Sequence, residues 1–194
     1  MFLLRKPSIA VIRQFIAGQS DLPFSYSQTG ATRSQPPAGF TIDHNRIEIG
    51  KGKATYERAV AALKDWKQFD LGWVEIVPSG LALEVGTTAA VQAKTFGFWS
   101  LSACRIVYVL DENEGVKKFG FAYGTLPDHV ECGEERFTVE WHPDDTVWYD
   151  IYAFSRPRHP LVKLCRPLAR RLQKRFVRAS LAAMKAASKE LAPD

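Results

Sequence analysis

The sequence predicts an α+β fold in which a curved antiparallel sheet of about seven strands wraps one long C-terminal helix. Three observations favour this fold. Short apolar stretches separated by turn residues follow one another from residue 73 to residue 154, which is typical of an antiparallel meander. One helical pattern follows the first strand, and a long amphipathic segment closes the chain. A sheet with one apolar face is stable when a helix covers that face.

An additional helix is predicted at the N-terminus. Pro7 suits the first turn of a helix, and Gly18 suits its end. The stretch Ser25–Phe40 follows, and its Pro, Gly and Ser residues favour a linker. We therefore expect residues 1–40 to form a helix and linker extension, and residues 41–194 to form a single main domain.

The main domain is predicted to begin with a strand at Thr41–Ile49, followed by a helix of about 14 residues. Thr55 is a candidate N-cap of that helix because its hydroxyl can accept a hydrogen bond from a free backbone N–H. Between them, Gly50-Lys51-Gly52-Lys53 superficially suggests a phosphate loop, but the neighbouring residues do not complete that motif. We interpret these residues as the turn from strand to helix.

Six further strands are predicted from apolar alternation and from the turn residues that separate them. They are Trp73–Val77, Glu84–Phe96, Leu101–Leu110, Lys117–Thr125, Val130–Trp141 and Val147–Phe154. The last helix is predicted from Pro167 to about Leu191. Its apolar stripe comprises Leu164, Leu168, Leu172, Phe176, Ala179, Ala183 and Ala187.

Charge is distributed unevenly along the chain. Residues 156–194 carry 11 of the 26 Lys and Arg residues but only 2 of the 21 Asp and Glu residues. We interpret this excess as the solvated face of the last helix, and a weak contact with an anionic membrane surface is the alternative. Exposed aromatic residues do not alternate with these cations, so no nucleic-acid binding is expected. The oligomeric state is left open.

The cysteines and the N-terminus bear on location. The three cysteines lack paired spacing, which predicts a reduced, intracellular protein. Arg5, Lys6 and Pro7 interrupt the first apolar run, so it does not have the pattern of a signal peptide. No segment reaches the roughly 18 apolar residues of a spanning helix. The expected location is the cytoplasm.

The order of the predicted elements resembles the helix-grip fold of the START and birch-pollen-allergen superfamily. In those proteins a curved sheet wraps the last helix and a cavity lies between them. Particular motifs carry a closer resemblance: Gly50-Lys51-Gly52, Cys104-Arg105-Ile106-Val107-Tyr108, Gly124-Thr125-Leu126-Pro127-Asp128-His129 and Gly133-Glu134-Glu135-Arg136-Phe137. They are similar to those of the DUF1990 (UPF0548) family, over about residues 20–185. The resemblance implies a fold and no particular activity.

The candidate site residues concentrate on the two strands before residue 141. If the apolar residues from Phe137 onwards face the core, alternation places Glu135 on the same face. Glu131 and His129 would follow if the pairing were unbroken. Gly133 makes a β-bulge plausible, however, and a bulge would reverse the facing of the residues before it.

An inward Glu135 needs a polar partner, because burying an unpaired carboxylate is costly. Arg105 and Arg136 are the cationic candidates, and Tyr123 and Tyr149 are the hydroxyl candidates. Such a carboxylate either fixes the register of the strands or contacts a ligand. Both interpretations stay open at this point.

His129 follows a Pro-Asp pair at a turn. Its imidazole either bonds to backbone groups or takes part in binding or catalysis. His129 and Glu131 together supply two metal ligands, but no third has a fixed spacing, so no metal site is expected. Motifs for covalent catalysis and for dinucleotides are missing from the sequence, and no cofactor is expected.

Two hypotheses about function follow. In the first, the protein binds a small apolar or amphipathic molecule in a cavity between the sheet and the last helix. The candidate ligand-binding residues are Tyr123, His129, Glu131, Glu135, Arg105 and Tyr149. In the second, a cofactor-independent enzyme of the cyclase, hydratase or lyase type uses Glu135 or His129 as a general acid or base. The sequence does not decide whether the protein is an enzyme.

Overall fold

The computed structural model describes residues 1–159 and 166–189. The strands in these ranges are β1 (Phe2–Leu3), β2 (Thr41–Lys51), β3 (Val74–Val77), β4 (Thr88–Thr95), β5 (Phe98–Glu112), β6 (Lys117–Thr125), β7 (Glu131–Trp141) and β8 (Thr146–Pro157). The α-helices are α1 (Ile9–Ala17), α2 (Gly52–Lys64) and α3 (Arg166–Ala187), and short 3-10 helices lie at Ala31–Arg33 and Lys67–Phe69.

All strands belong to one antiparallel sheet with the order β2-β8-β7-β6-β5-β4-β3. Strands β3 to β8 form a meander because short links join them, and β2 returns to pair with β8. Register shifts at Glu48/Gly50 in β2 and at Ile106/Tyr108 in β5 interrupt the ladder, and such irregularities bend a sheet. The predicted antiparallel sheet of about seven strands is confirmed. The sequence did not predict β1, which pairs with β5 as an eighth strand.

The helices begin at positions that only partly match the prediction. The hydroxyl of Ser8 accepts from the N–H of Val11 at 3.4 Å and caps α1, which ends before Gly18. Helix α2 begins at Gly52, and its N-cap residue Lys51 provides no side-chain hydrogen bond. The prediction that Thr55 caps α2 was therefore wrong, and Thr55 is buried inside the first turn of the helix.

The C-terminal half of α3 is attached to the core. Ser180 and Met184 are completely buried, and the hydroxyls of Tyr149 and Ser180 lie 3.1 Å apart. Just beyond the helix, the hydroxyl of Ser188 donates to the carbonyl of Ile49 at 3.2 Å. This end of the helix is held in place by buried packing and polar contacts together.

The N-terminal half of α3 packs less closely. Leu168, which the predicted apolar stripe included, is 39% exposed, so that part of the prediction was wrong. Leu164 and the predicted end at Leu191 lie outside the described residues. None of the helices in residues 1–159 and 166–189 combines the length and the apolar character that crossing a bilayer requires.

Residues before β2 cover the convex face of the sheet. Ile12 and Phe15 of α1 pack against Leu101 and Leu126. Further along, the buried carboxylate of Glu134 accepts hydrogen bonds from four groups of this segment. These groups are the hydroxyl of Tyr26 at 2.6 Å, the backbone N–H of Gly30 at 2.7 Å, the backbone N–H of Thr32 at 3.0 Å and the hydroxyl of Thr32. The division of the chain at residue 40 stays a prediction.

Candidate functional site

A cavity of about 550 Å³ lies between the concave face of the sheet and the N-terminal half of α3. It exists because α3 packs tightly only from Ser180 onwards, whereas its first turns stand away from the strands. Most of its wall is apolar, with contributions from Phe69, Trp73, Val74, Val91, Ala93, Ala153, Leu172, Phe176 and Val177. A concave, mainly apolar space of this size is typical of small-molecule sites.

Strand β7 supplies two carboxyl groups of the cavity, those of Glu131 and Glu135. Its pairings with β6 and β8 show no register shift, so of the two alternatives left open by the sequence the unbroken strand is found and the β-bulge at Gly133 is not. Glycine is required there for a different reason: a Cβ atom would collide with the carbonyl oxygen of Phe154. Because alternation is unbroken, Glu131 and Glu135 face the same side as Phe137, and both line the cavity.

Glu135 is held by the residue directly opposite it on β6. The hydroxyl of Tyr123 donates a hydrogen bond to its carboxylate at 2.6 Å. Burial raises the pKa of Glu135 to about 7, the hydrogen bond from Tyr123 opposes that rise, and the charge of Asp43 adds to it. Among the described residues, the carboxylate of Glu135 has no other hydrogen-bond partner. Near neutral pH it can therefore either donate or accept a proton.

Glu131 lies further along the same strand, near an ion pair. Burial raises its pKa to about 7, while the charge of Arg170 acts in the opposite direction. Arg170 directs its guanidinium to Asp43, with N–O distances of 2.6 and 2.8 Å, and to Gln173 at 2.8 Å. The buried Oε2 atom of Glu131 has no hydrogen-bond partner among the described residues. Glu131 thus keeps one unsatisfied acceptor beside the cavity, buried behind its wall.

His129 lies in the turn before β7 and also lines the cavity. The backbone N–H of Glu131 can only donate, so Nδ1 of His129 accepts its hydrogen bond at 3.0 Å. Burial lowers the pKa of His129 to about 4. The ring is consequently neutral near pH 7, and Nδ1 also lies 3.1 Å from the carbonyl oxygen of Glu131.

Two predicted ligand-binding residues lie elsewhere. Arg105 projects to the convex side, where its guanidinium donates to the carbonyls of Gln19 at 3.1 Å and Leu22 at 2.9 Å. The ring of Tyr149 is completely buried, and its hydroxyl meets Ser180 under the tightly packed half of α3. Neither residue is part of the cavity wall. Arg136, the other cationic candidate for Glu135, instead bonds to Asp150 at 3.2 Å.

The sequence prediction missed some polar groups of the cavity: Asp43, Asn45, Ser100, Ser102, Arg170 and Gln173. A signal for two of them was present. Ile47 and Ile49 are apolar residues two positions apart in the first predicted strand, and alternation from them reaches Asn45 and Asp43. Arg170 gave no such signal because it was assigned to the solvated face of the helix.

Comparisons with known proteins agree with this architecture. A UPF0548 protein of Dictyostelium discoideum is 40% identical over 196 residues, covering 91% of this chain and 91% of that protein. A UPF0548 protein of Arabidopsis thaliana is 36% identical over 146 residues, covering 73% and 70% of the two chains. Among solved structures, the hypothetical protein jhp0584 of Helicobacter pylori superposes with a TM-score of 0.53 at 13% identity, covering 86% of this chain and 96% of that one.

A second solved structure has a similar fold. It is the di-domain ARO/CYC protein StfQ from the steffimycin biosynthetic pathway, with a TM-score of 0.50 at 10% identity, covering 77% of this chain and 50% of that one. The model of the family described as "Domain of unknown function (DUF1990)" matches residues 25–183. That match and the identity to the two UPF0548 proteins confirm the resemblance that the motifs indicated. This chain therefore belongs to the DUF1990 family.

Proposed function

We propose that the protein binds a small apolar or amphipathic molecule in the cavity between the sheet and α3. The observation that supports this is the cavity of about 550 Å³, whose wall is mainly apolar but carries polar side chains from β2, β5, β6, β7 and α3. Apolar surface attracts the body of a ligand, and a small number of polar groups fix its orientation.

The polar side chains favour a ligand with hydrogen-bond donors at one end. Glu135 is bonded to Tyr123 and Glu131 has an unsatisfied buried oxygen, so the site holds two carboxyl groups that can accept hydrogen bonds from a ligand. The guanidinium of Arg170 is already paired with Asp43. A hydroxyl or a protonated amine would satisfy these oxygens, whereas a carboxylate would be repelled by them.

Calorimetry with three ligands of equal chain length tests this proposal. Decylamine, decanol and decanoate differ only in their polar group. At pH 8, where Glu131 and Glu135 are mainly ionised, we expect decylamine to bind most tightly and decanoate most weakly. If none of the three binds with a dissociation constant below about 1 mM, the binding proposal fails; if decanoate binds best, only the part concerning the polar group fails.

A variant that fills the cavity provides the second test. Ala153 lines the cavity, and Ala153→Trp should occupy the space and abolish binding. Ala54→Trp is the matched control because Ala54 is exposed on α2. Thermal unfolding of both variants establishes that they are folded. Binding by folded Ala153→Trp at the wild-type level would contradict the proposed location.

Acid or base catalysis by Glu135 or His129 in the same cavity stays a prediction. It requires a reacting atom of a substrate within hydrogen-bond reach of one of these groups. Ligand binding needs only the cavity and its polar end, so it is the function proposed for this protein.

A further inference from the structure

Exposed apolar side chains are concentrated in one part of the surface. Of the ten large hydrophobic side chains that are exposed within residues 1–159 and 166–189, seven belong to the first 11 residues or to the turn between β4 and β5. They are Met1, Phe2, Leu4, Ile9, Val11, Phe96 and Phe98. Single exposed apolar residues are ordinary, but a group of them on a protein surface marks an interaction site.

The two segments meet at one end of the sheet, because β1 pairs with the start of β5. In β1, Phe2 lies opposite Ser100 and Leu3 lies opposite Trp99. Phe96 lies in the turn between β4 and β5, and Phe98 is the first residue of β5. Both immediately precede Trp99 and Ser100, the partners of β1. We use the name hairpin face for the side chains at this end of the sheet: Phe2, Leu4, Phe96, Phe98 and the cations Arg5, Lys6 and Lys94.

The turn between β4 and β5 exposes the aromatic ring of Phe96 although the backbone of this residue is strained. Thr95 and Phe98 form the last pair of the hairpin, so Phe96 and Gly97 are its two turn residues. Both have positive φ, 52° for Phe96 and 82° for Gly97. For a residue with a large side chain, this left-handed backbone conformation is unfavourable by roughly 1–2 kcal/mol. Asn or Gly normally occupies such a turn position. The ring of Phe96 is 70% exposed, so its packing within the chain does not offset the strain.

Cations lie at the same end of the sheet, around Trp99, whose side chain faces the opposite side of β5 from that of Phe98. The ammonium groups of Lys6 and Lys94 lie 5.4 and 5.6 Å from the centre of the Trp99 ring. Arg5 is exposed next to Lys6. Among the described acidic side chains, Glu75 approaches this group, at 3.1 Å from Lys6. Positive charge therefore exceeds negative charge on this face.

We propose that the hairpin face docks on the surface of a lipid bilayer that contains anionic lipids, with Phe96 and Phe98 inserted among the headgroups. Exposed aromatic rings with lysines beside them are the combination that suits the boundary between lipid and water. Anionic headgroups complement Arg5, Lys6 and Lys94. A stable protein interface needs about 800 Å² from each partner, more than four side chains supply, whereas a bilayer contact needs only a small inserted apolar group together with charge attraction.

The hairpin face also adjoins the cavity. Phe2 is 48% exposed on the surface and at the same time lines the cavity. On the proposed function, docking at this face would bring the cavity next to a source of amphipathic molecules. The docking itself does not depend on any ligand.

Co-sedimentation with vesicles tests the docking. Wild-type protein is mixed with phosphatidylcholine vesicles that contain 30% phosphatidylserine, and with vesicles of phosphatidylcholine alone, at 0.1 and 0.5 M NaCl. We expect stronger binding to the anionic vesicles, weakened by salt. The double variant Phe96→Ser/Phe98→Ser should lower the partition coefficient about tenfold or more. Lys6→Gln/Lys94→Gln should lower it on anionic vesicles only.

The controls separate this face from other surfaces. Val85→Ser/Ile42→Ser removes two apolar side chains of similar exposure elsewhere and should leave binding unchanged. The proposal is overturned if wild-type protein does not bind anionic vesicles, or if Phe96→Ser/Phe98→Ser binds as wild type does. It is also overturned if binding is lost only when Arg171 and Lys174 of α3 are replaced by glutamine. Light scattering adds a last criterion: a wild-type dimer that becomes a monomer in Phe96→Ser/Phe98→Ser would assign the face to contact between two copies of the chain.

The vesicle result is independent of the ligand result. Calorimetry with decylamine is carried out without vesicles and reports on the cavity alone. Failure of one assay with success of the other therefore identifies which of the two proposals is wrong.

Discussion

Tyr123 and Glu135 face each other across β6 and β7, and the tyrosine hydroxyl donates to the carboxylate at 2.6 Å. The pair lies on the floor of the cavity, where burial raises the pKa of the carboxyl group to about 7. Two consequences of this relationship can be measured without knowing a ligand.

Replacement of Glu135 by glutamine should change how stability depends on pH. Between pH 4.5, the ordinary pKa, and about 7, the folded protein keeps a proton that the unfolded chain has released. The free energy of unfolding therefore falls as the pH rises through this range. Urea unfolding at pH 4.5 and 8 should show a smaller fall in Glu135→Gln than in wild type, by on the order of 2–3 kcal/mol. Glu57→Gln, at an exposed position on α2, should behave like wild type.

Removal of the Tyr123 hydroxyl should raise the pKa of Glu135 further. The hydrogen bond stabilises the ionised carboxylate, so its loss in Tyr123→Phe favours the protonated form. We expect an increase of about 0.5–1 pKa unit, measured by ¹³C NMR of the glutamate carboxyl groups. Tyr152→Phe, on the opposite face of the sheet, is the control. An unchanged or lower pKa in Tyr123→Phe would show that the hydroxyl does not donate to Glu135.

Replacement of Glu134 by glutamine should release the N-terminal segment. Its carboxylate accepts from Tyr26, Gly30 and Thr32, and an amide replaces one acceptor oxygen by a donor. We expect a loss of about 2–4 kcal/mol in the free energy of unfolding, together with faster tryptic cleavage after Arg33.

Glu140→Gln is the matched control for this variant. Glu140 lies on the same strand and the same face, but its partners are Arg46, Lys118 and His142 and none of them belongs to the N-terminal segment. It should lose less stability, and cleavage after Arg33 should proceed at the wild-type rate. Equal cleavage of the two variants would show that Glu134 does not hold the segment.

Replacement of Gly133 by alanine should destabilise the sheet. The added Cβ would meet the backbone of Phe154, which cannot move without breaking the pairing of β7 with β8. We expect a cost of about 2–4 kcal/mol in chemical unfolding. Gly18→Ala, at the end of α1, is the comparison because a Cβ there makes only ordinary contacts. A Gly133→Ala protein as stable as wild type would require the two strands to be further apart than observed.

The sequence predicted the elements whose signal is local. Alternation from Phe137 gave the facing of Glu135, and the turn residues gave the meander. Glu134 could not be assigned because its partners lie more than 100 residues earlier in the chain, in a stretch whose composition indicates a linker. Arg105 was misplaced for a related reason, since its partners are backbone carbonyls that no side-chain pattern reveals.

The start of α2 was missed because the structure does not use the ordinary signal. Sequence reasoning assigned the cap to a hydroxyl, and Thr55 was the nearest one. Instead, the N–H of Gly52 donates to the backbone carbonyl of Asp145 at 2.9 Å, so a neighbouring turn takes the place of a side-chain cap. Contacts of this kind depend on the assembled sheet and leave no trace in the local sequence.

The two ends of α3 are attached in different ways, and this determines which end can open. The end near Ser188 is held by buried contacts, including a 2.9 Å hydrogen bond from Arg58, and these are insensitive to salt. The end above the cavity is held across the sheet by the pair of Arg170 and Asp43, whose side chains are 31% and 28% exposed. On the proposed function, we expect a molecule to enter at the end held by this ion pair rather than at the buried C-terminal end. Salt, which screens an exposed ion pair, would then accelerate both loading and release while leaving the global stability nearly unchanged.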